Sequence, residues 1–218
     1  MNWFYHTGRF ITRLLVSSLT QCEVKGKENI PATGPLLVVA NHLSLADPPL
    51  LGVSINRKMM FMAKEELFRK PFTRFFIKKF GAFPVYRGRL SRAALDNATQ
   101  LLSRGLVIAM FPEGKRSQNC CLEEAFPGSA MLAWKCQAPV LPVGISGTER
   151  IHGLRWILKR PKLVVNIGKP FHLSHSNGKV SKEELCQCTE SIMTHIAELL
   201  PERYRGVYDR KNETKVQW

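Results

Sequence analysis

The sequence predicts an α/β fold in which a central, mostly parallel or mixed sheet is flanked by helices. The first observation is a set of short, continuous apolar runs at residues 36–40, 106–111 and 140–145. Such runs, ended by polar residues, Gly or Pro, are typical of strands buried on both faces of a sheet. The second observation is that segments with helical spacing of apolar residues separate these runs. Strands that alternate with helices indicate the α/β class.

The N-terminal segment predicts an amphipathic helical element. Within residues 2–20, Phe10, Ile11, Leu14 and Leu15 recur at the spacing of one helical face, with basic residues between them. Two interpretations stay open, because this pattern is shared by helices that pack on their own domain and helices that lie in a membrane interface. We assign residues 1–22 to a membrane-interface helix.

Local signals place the remaining elements. Pro48 and Pro49 begin a helix, because proline is tolerated in a first helical turn. Ser181 and Glu184 form a capping-box pattern that begins a helix ended by Pro201. The other predicted elements are a strand and turn at 23–30, a strand at 81–87, helices at 91–104 and 128–137, and a fourth apolar strand at 163–167.

The length of the chain fits one domain. A chain of 218 residues is long enough to bury a sizeable core without metal or disulfide support. We assign residues 23–208 to an α/β domain and residues 209–218 to a polar C-terminal tail.

The chain is strongly basic, which predicts anionic partners. Lys and Arg number 32 against 17 Asp and Glu, a formal net charge of +15. Nucleic acid, an acidic membrane surface and phosphorylated substrates all fit this balance. Residues 57–80 mix cations with Met and Phe. That mixture favours membrane contact over the alternative of a core helix pair with a solvated basic face.

The sequence lacks the motifs that are typical of several functional classes. The six cysteines do not stand at zinc-ligand spacing, so we interpret them as free thiols in a reducing compartment. No secretory signal pattern is visible, and no apolar stretch approaches the roughly 20 residues of a transmembrane helix. There is also no nucleophile elbow, P-loop or dinucleotide-binding fingerprint.

His42 and Asp47 form the first candidate catalytic constellation. His42 follows the first buried run, and Asp47 precedes two prolines. The residue before a proline avoids the helical region, so we expect Asp47 to be extended or in a turn. The intervening loop lets the carboxylate fold back onto the imidazole and leaves the other ring nitrogen as general base. The structural alternative is that His42 caps the strand end and Asp47 caps the next helix.

A second constellation follows the second buried run, at residues 111–117. A turn there presents a carboxylate, a glycine that permits close backbone approach, two cations suited to phosphate, and a hydroxyl. The alternative is an ordinary solvated turn. These residues are Glu113, Gly114, Lys115, Arg116 and Ser117.

Two further segments give weaker signals. Arg87 stands at the end of a predicted strand and precedes a glycine, a modest phosphate-binding pattern. Pro142 interrupts the third apolar run. Because proline cannot donate to a neighbouring strand, we expect the strand to be bulged or at a sheet edge at that point.

In this order, the four segments resemble the glycerolipid acyltransferase family, and within it the 1-acylglycerol-3-phosphate acyltransferases. The N-H-x-x-x-x-D block is found at residues 41–47 and the F-P-E-G-x-R-S block at 111–117. The second and fourth blocks are found at 81–87 and 140–144. Four ordered blocks are far more specific than any single one of them.

The resemblance implies acyl transfer from acyl-CoA, or an acyl carrier protein, to the free hydroxyl of 1-acylglycerol 3-phosphate. His42 would deprotonate that hydroxyl, Asp47 would orient His42, and no covalent intermediate would form. Arg87 and Arg116 would hold the acceptor's phosphate, and Glu113 would position its glycerol part. No metal or other cofactor is expected, because the thioester is already activated. The substrate-binding residues that the resemblance implies are Arg87, Glu113, Gly114, Lys115, Arg116, Ser117 and Pro142.

The sequence leaves alternative acceptors open and predicts a location at a membrane. Relatives usually have Thr at the position of Lys115 and often a Lys at that of Phe126, which leaves glycerol 3-phosphate, lysocardiolipin or another lysophospholipid as alternative acceptors. A basic nucleic-acid-binding protein is less favoured, because no recognition motif is visible. The expected partners are a lysophospholipid, an acyl thioester and an anionic membrane surface, with no nucleic acid. The expected location is peripheral or monotopic on the cytoplasmic face of a membrane.

Overall fold

The predicted apolar runs form strands of one central sheet. The computed structural model describes residues 2–79, 81–85, 92–153, 155–174 and 180–209. The strands, in chain order, are β1 (Gln21–Lys25), β2 (Leu36–Ala40), β3 (Met59–Lys64), β4 (Ala82–Val85), β5 (Val107–Met110), β6 (Val140–Ser146) and β7 (Lys162–Ile167). Every residue of β2, β5 and β6 is buried, as expected for strands covered on both faces.

The direction of the strands places several loops at one edge of the sheet. Among the described residues the sheet has seven strands in the order β1-β7-β6-β2-β5-β3-β4. The strands from β6 to β4 are parallel, whereas β7 is antiparallel to β6 and β1 is parallel to β7. The carboxyl ends of β2, β5 and β6 therefore share one edge with the amino end of β1. This mixed sheet confirms the predicted fold class.

Helices form a layer on each side of the sheet. The helices are α1 (Asn2–Leu19), α2 (Asp47–Ser54), α3 (Pro71–Lys79), α4 (Arg92–Ser103), α5 (Gly128–Cys136), α6 (Trp156–Lys159) and α7 (Lys182–Glu198). On one face, Leu36, Val38 and Ala40 of β2 share a core with α2 and with Val16 of α1. On the other face, Leu37 and Val39 share a core with α4, α5 and α7. The alternation of side chains in β2 explains its unbroken apolar run.

The capping box that the sequence predicts is present at the start of α7. The Ser181 hydroxyl accepts a hydrogen bond from the backbone N–H of Glu184 at 3.0 Å. The Glu184 carboxylate accepts the backbone N–H of Ser181 at 2.8 Å. Both bonds satisfy amides that the first turn of a helix otherwise leaves without partners.

The alternative interpretation of residues 57–80, as a core helix pair, is wrong in its first half. That half forms β3, which lies between β5 and β4, and only the second half contains a helix, α3. Met59, the first residue of β3, is fully buried beside Val107 of β5. Methionine is a good helix former, so local preference pointed away from the strand that the neighbouring strands impose.

Pro142 does not lie at a sheet edge, contrary to the expectation from its missing donor. It lies in β6, between β2 and β7, and pairs in register with Val39. The pairing of β6 with β7 starts one residue later, at Val143 and Ile167, so the missing N–H falls at the end of that ladder. The Pro142 carbonyl still accepts the Gly168 N–H at 2.9 Å. A proline is therefore tolerated inside the sheet because one ladder ends there.

All six cysteines are free thiols, as the sequence predicts. Of the helices in the described part of the chain, none combines the length and the apolar content needed to cross a membrane.

Replacing the capping serine tests the start of α7. Ser181→Ala removes the acceptor for the Glu184 amide and should lower the free energy of unfolding by about 1 kcal/mol. Urea unfolding followed by circular dichroism measures this change. Ser103→Ala, which removes an exposed hydroxyl bonded to the Gln100 carbonyl, is the matched control and should change stability less. Equal losses in the two variants would contradict a specific capping contribution.

Candidate active site

The site lies where β2 and β5, two neighbouring strands, end at the same edge. The register places Val39 of β2 beside Met110 of β5. The residues that follow these strands therefore emerge side by side, and they carry the two predicted constellations. The Ser117 N–H donates to the His42 carbonyl at 2.8 Å, which joins the two loops directly.

His42 and Asp47 are in contact, in the arrangement that their spacing predicts. Nδ1 of His42 lies 2.8 Å from Oδ2 of Asp47. The same carboxylate oxygen accepts the backbone N–H groups of Leu43 and Ser44, at 2.6 and 2.7 Å. Asp47 is fully buried, whereas the His42 side chain keeps some exposure. Because carboxylates only accept, the contact fixes Nδ1 as the protonated nitrogen and directs Nε2 away from Asp47.

Asp47 differs from the prediction in one respect. It is the first residue of α2 and belongs to the helix, rather than being an extended residue or a turn before it. Its carboxylate folds back onto residues 42–44 instead of capping the helix. The two prolines that follow are compatible with this start, because amides in a first helical turn have no intrahelical acceptor.

Asn41 anchors the loop that carries His42. Its side-chain amide donates to the Ile145 carbonyl at 2.8 Å and its side-chain oxygen accepts the Ile145 N–H at 2.7 Å. Ile145 belongs to β6, and the β2–β6 ladder ends at Ala40 and Val143. The Asn41 side chain thus extends the connection between the strands by one further residue. The sequence showed Asn41 in the block but gave no sign of this partner.

Phe111 supports the imidazole from one side. The two rings are stacked with centroids 4.2 Å apart and an interplanar angle of 21°. Phe111 is the residue after β5, and it reaches His42 because β2 and β5 are neighbours with matched ends. The order of the strands was the missing information, since the sequence alone does not reveal that order.

Glu113 is a buried element of the loop rather than part of the cavity wall. Its side chain is 1% exposed. One carboxylate oxygen accepts the His42 N–H at 2.9 Å and the other accepts the Glu123 N–H at 3.1 Å. Burial raises the pKa of Glu113 to about 7. The carboxylate therefore holds the backbone of His42, a role different from the implied contact with the acceptor's glycerol.

Ser117 and Gly114 also shape the loop. The Ser117 hydroxyl donates to the Cys121 carbonyl at 2.6 Å and accepts the Cys121 N–H at 3.1 Å. Gly114 has a φ of 63°, and a Cβ at this position would lie 3.0 Å from the ring of Phe126. Only glycine fits both this conformation and this contact without strain.

The two cations of the loop lie in different environments. The Lys115 ammonium pairs with the Glu123 carboxylate, which lowers the pKa of that carboxyl. Arg116 is exposed and lines the same cavity as His42. Lys115 also reaches the cavity but is partly neutralised, so Arg116 is the better placed of the two for an incoming anion. Arg87 lies outside the described residues.

A large cavity of about 1230 Å³ opens beside His42. Its polar end carries His42, Lys115 and Arg116, and its apolar part lies between α2, α3 and β3. Tyr5, Arg9 and Thr12 of α1 complete one wall. Pro142 is not on the wall of this cavity, so the structure separates it from the other predicted site residues. The apolar side chains on the wall include Val53, Phe61, Met62, Leu67 and Ile77.

The sequence and the structure together place the chain in a class of enzymes. Residues 21–146 match the model of the acyltransferase family. This segment contains the His42 loop, the loop after β5 and all of β6. The chain belongs to the acyltransferase family.

Relatives from bacteria and plants support the assignment. The chain is 30% identical over 189 residues to the 1-acyl-sn-glycerol-3-phosphate acyltransferase of Bacillus subtilis, covering 86% of this chain and 92% of that protein. It is also 30% identical over 183 residues to a chloroplastic 1-acyl-sn-glycerol-3-phosphate acyltransferase of Arabidopsis thaliana, covering 80% of this chain and 50% of that protein. The crystal structure of the acyltransferase PlsC from Thermotoga maritima is similar, with a TM-score of 0.68 and 30% identity. That match covers 98% of this chain and 80% of the PlsC chain.

The buried carboxylate predicts a distinctive pH dependence of stability. Between pH 4.5, the ordinary pKa of Glu, and about 7, Glu113 keeps its proton in the folded state and loses it in the unfolded state. Its contribution to stability is therefore present at low pH and falls as the pH rises through this window, by up to about 3 kcal/mol. Glu113→Gln cannot titrate and should lack this fall.

Urea unfolding of both proteins at several pH values from 4.5 to 8 measures the difference. Glu183→Gln, which changes an exposed carboxylate in the first turn of α7, is the control and should follow the wild type. Parallel stability curves for wild type and Glu113→Gln would show that Glu113 does not titrate in this range.

Proposed function

We propose that the protein transfers an acyl group from acyl-CoA, or an acyl carrier protein, to 1-acylglycerol 3-phosphate and so forms phosphatidic acid. The observation that carries this proposal is the contact of His42 with the buried Asp47 at the polar end of a large, mainly apolar cavity. The names of the relatives point to the same acceptor.

The proposed mechanism uses His42 as a general base. Nδ1–H of His42 is held by Asp47, so Nε2 can accept the proton of the acceptor hydroxyl. The hydroxyl oxygen forms a bond to the thioester carbonyl carbon, and the carbon–sulfur bond breaks as the tetrahedral intermediate collapses. The thiolate leaves and takes the proton from the imidazolium. Asp47 stabilises the imidazolium between these steps without taking its proton.

Arg116 is the proposed contact for the acceptor's phosphate. Arg116 lines the polar end of the cavity, and a guanidinium can offer a bidentate pair of donors to phosphate. Lys115 adds less positive charge to the cavity than the sequence alone suggests, because Glu123 pairs with it. Arg87 remains a proposed phosphate ligand from the family resemblance. The apolar part of the cavity is proposed to hold an acyl chain.

The orientation of α1 supports a location at a membrane surface. The inner side of the helix docks on the domain through the buried Tyr5 and through Arg9, which donates to the Ile55 carbonyl at 3.1 Å. Its outer side carries an apolar stripe whose members are each half or more exposed: Phe10, Ile11, Leu14 and Leu15. Such a helix buries its apolar face only when lipid or another partner covers it. We therefore propose a peripheral or monotopic location on the cytoplasmic face of a membrane.

Loss of the proposed base should greatly reduce turnover. His42→Ala removes the group that accepts the hydroxyl proton and should lower kcat by about 10² to 10⁴ while leaving the fold intact. The assay mixes purified protein with palmitoyl-CoA and follows free CoA and lipid products by mass spectrometry. The acceptors are 1-acylglycerol 3-phosphate, glycerol 3-phosphate and lysocardiolipin.

His172→Ala, which alters an exposed histidine that does not line the cavity, is the matched control and should retain full activity. Full activity of His42→Ala would overturn the mechanism. Product formed only from another acceptor would agree with the mechanism but would change the assigned substrate. Absence of product with acyl-CoA calls for the same panel with an acyl carrier protein donor, and failure with both donors would overturn the proposed function.

Removal of the proposed phosphate contact should act on the acceptor. Arg116→Ala should raise KM for 1-acylglycerol 3-phosphate by about tenfold or more, with a smaller effect on KM for the acyl donor. Arg116→Lys should restore part of the affinity, because it keeps the charge but not the bidentate geometry. Arg104→Ala removes an exposed cation elsewhere and serves as control. An unchanged KM for the acceptor in Arg116→Ala would show that Arg116 does not bind the phosphate.

A further inference from the structure

We propose that the turn formed by residues 155–160, which contains α6, is a second contact with an anionic lipid surface, beside the apolar stripe of α1. The inference rests on the membrane location proposed above and deepens it. It assigns a binding role to a segment outside the substrate cavity and outside the residues that match the acyltransferase family.

The turn exposes apolar side chains to an unusual degree. Leu158 is 90% exposed, more than any other large apolar side chain that the structure describes, and Ile157 is 37% exposed. α6 is a single helical turn between β6 and β7. Neither residue contributes to either buried core cluster of the described residues. Packing within the fold therefore does not account for Leu158, and it covers the neighbouring Ile157 only in part.

The charges of the turn favour anionic lipid as the partner. Arg155, Lys159 and Arg160 are all exposed, and residues 151–162 contain no acidic residue. Aliphatic side chains at a tip with cations on both sides are typical of segments that insert shallowly into a leaflet, where the cations meet lipid phosphates. A nucleic acid would use the cations but not the exposed Leu158.

The backbone joins the turn to the end of α1. Pro161, just after the turn, accepts a hydrogen bond from the Gln21 N–H at 3.0 Å. Gln21 is only two residues beyond the last residue of α1, and it pairs with Lys162 at the start of β7. The turn and the C-terminal end of α1 are therefore neighbours, which allows one lipid surface to contact both.

The same edge of the sheet carries the proposed active site. The turn follows the carboxyl end of β6, and His42 follows the carboxyl end of β2, which is parallel to β6. A lipid surface that contacts both α1 and the turn would lie near the edge where a lysophospholipid must enter. In this position the second contact would limit rotation of the domain about α1.

Binding to vesicles tests the proposal. Wild type, Leu158→Glu and Leu14→Glu are sedimented with phosphatidylcholine vesicles prepared with and without phosphatidylglycerol. Leu158→Glu should weaken binding to the anionic vesicles by about tenfold or more, because it replaces an inserted aliphatic side chain with a charge. Gln187→Glu introduces the same charge change at an exposed position of α7, on the opposite layer, and should bind like the wild type.

A second variant tests the cations separately. Arg155→Gln combined with Lys159→Gln should reduce the preference for anionic vesicles and leave weak binding to phosphatidylcholine unchanged. Acyl transfer to a short-chain acceptor dissolved below its micellar concentration should be equal in all these proteins, which shows that the cavity is intact.

Each contrary result has a distinct meaning. Wild-type binding by Leu158→Glu, with loss in Leu14→Glu, would overturn the second contact and leave the membrane location standing. Failure of the wild type to bind any vesicle would overturn both. Loss of vesicle binding and of soluble activity together in Leu158→Glu would show that Leu158 supports the fold and would also overturn the proposal. The wild type could instead form a dimer that Leu158→Glu dissociates while vesicle binding is unaffected. That result would identify a second copy of the chain, and not lipid, as the partner of the turn. Normal vesicle binding without acyl transfer would overturn the proposed function alone.

Discussion

The arrangement of the site depends on one buried carboxylate oxygen. Oδ2 of Asp47 accepts hydrogen bonds from the His42 ring and from two backbone amides of the loop between them. A fully buried carboxylate is stable only with such donors, because burial removes it from water. The loop must therefore close around Asp47, and that closure fixes both the position and the tautomer of His42. Asn41 holds the start of the same loop to β6, so the imidazole is placed from the sheet as well as from the helix.

A second buried carboxylate supports the first from the neighbouring strand. Glu113 accepts the His42 amide, and Ser117 donates to the His42 carbonyl, so both backbone groups of His42 are bound by the loop after β5. The two acids have different roles, because Asp47 is bonded to the imidazole whereas Glu113 accepts hydrogen bonds from the backbone N–H groups of His42 and Glu123. Together the two acids fix the backbone of His42 and the orientation of its ring.

Much of this arrangement follows from local patterns in the sequence, and the remainder depends on strand order. The buried runs, the capping box of α7 and the approach of Asp47 to His42 are all set by nearby residues. The partners of Asn41, Phe111 and Glu113 lie on other strands, and local patterns do not reveal that β2 stands between β5 and β6. The same limit explains β3 and Pro142. Met59 becomes a strand residue because β5 lies beside it, and Pro142 is accepted because a ladder ends there.

The wall that α1 supplies to the cavity links two equilibria. Tyr5, Arg9 and Thr12 line the cavity from the same helix whose opposite side carries the exposed apolar stripe. Contacts that stabilise the docked position of α1 would also stabilise this wall of the cavity, and a ligand bound against the wall would stabilise the docked helix. Thermodynamic reciprocity requires these two effects to be equal in free energy. On the membrane surface proposed above, the protein would therefore bind the proposed lysophospholipid substrate more tightly than in free solution, by the same factor with which that substrate retains it on the surface.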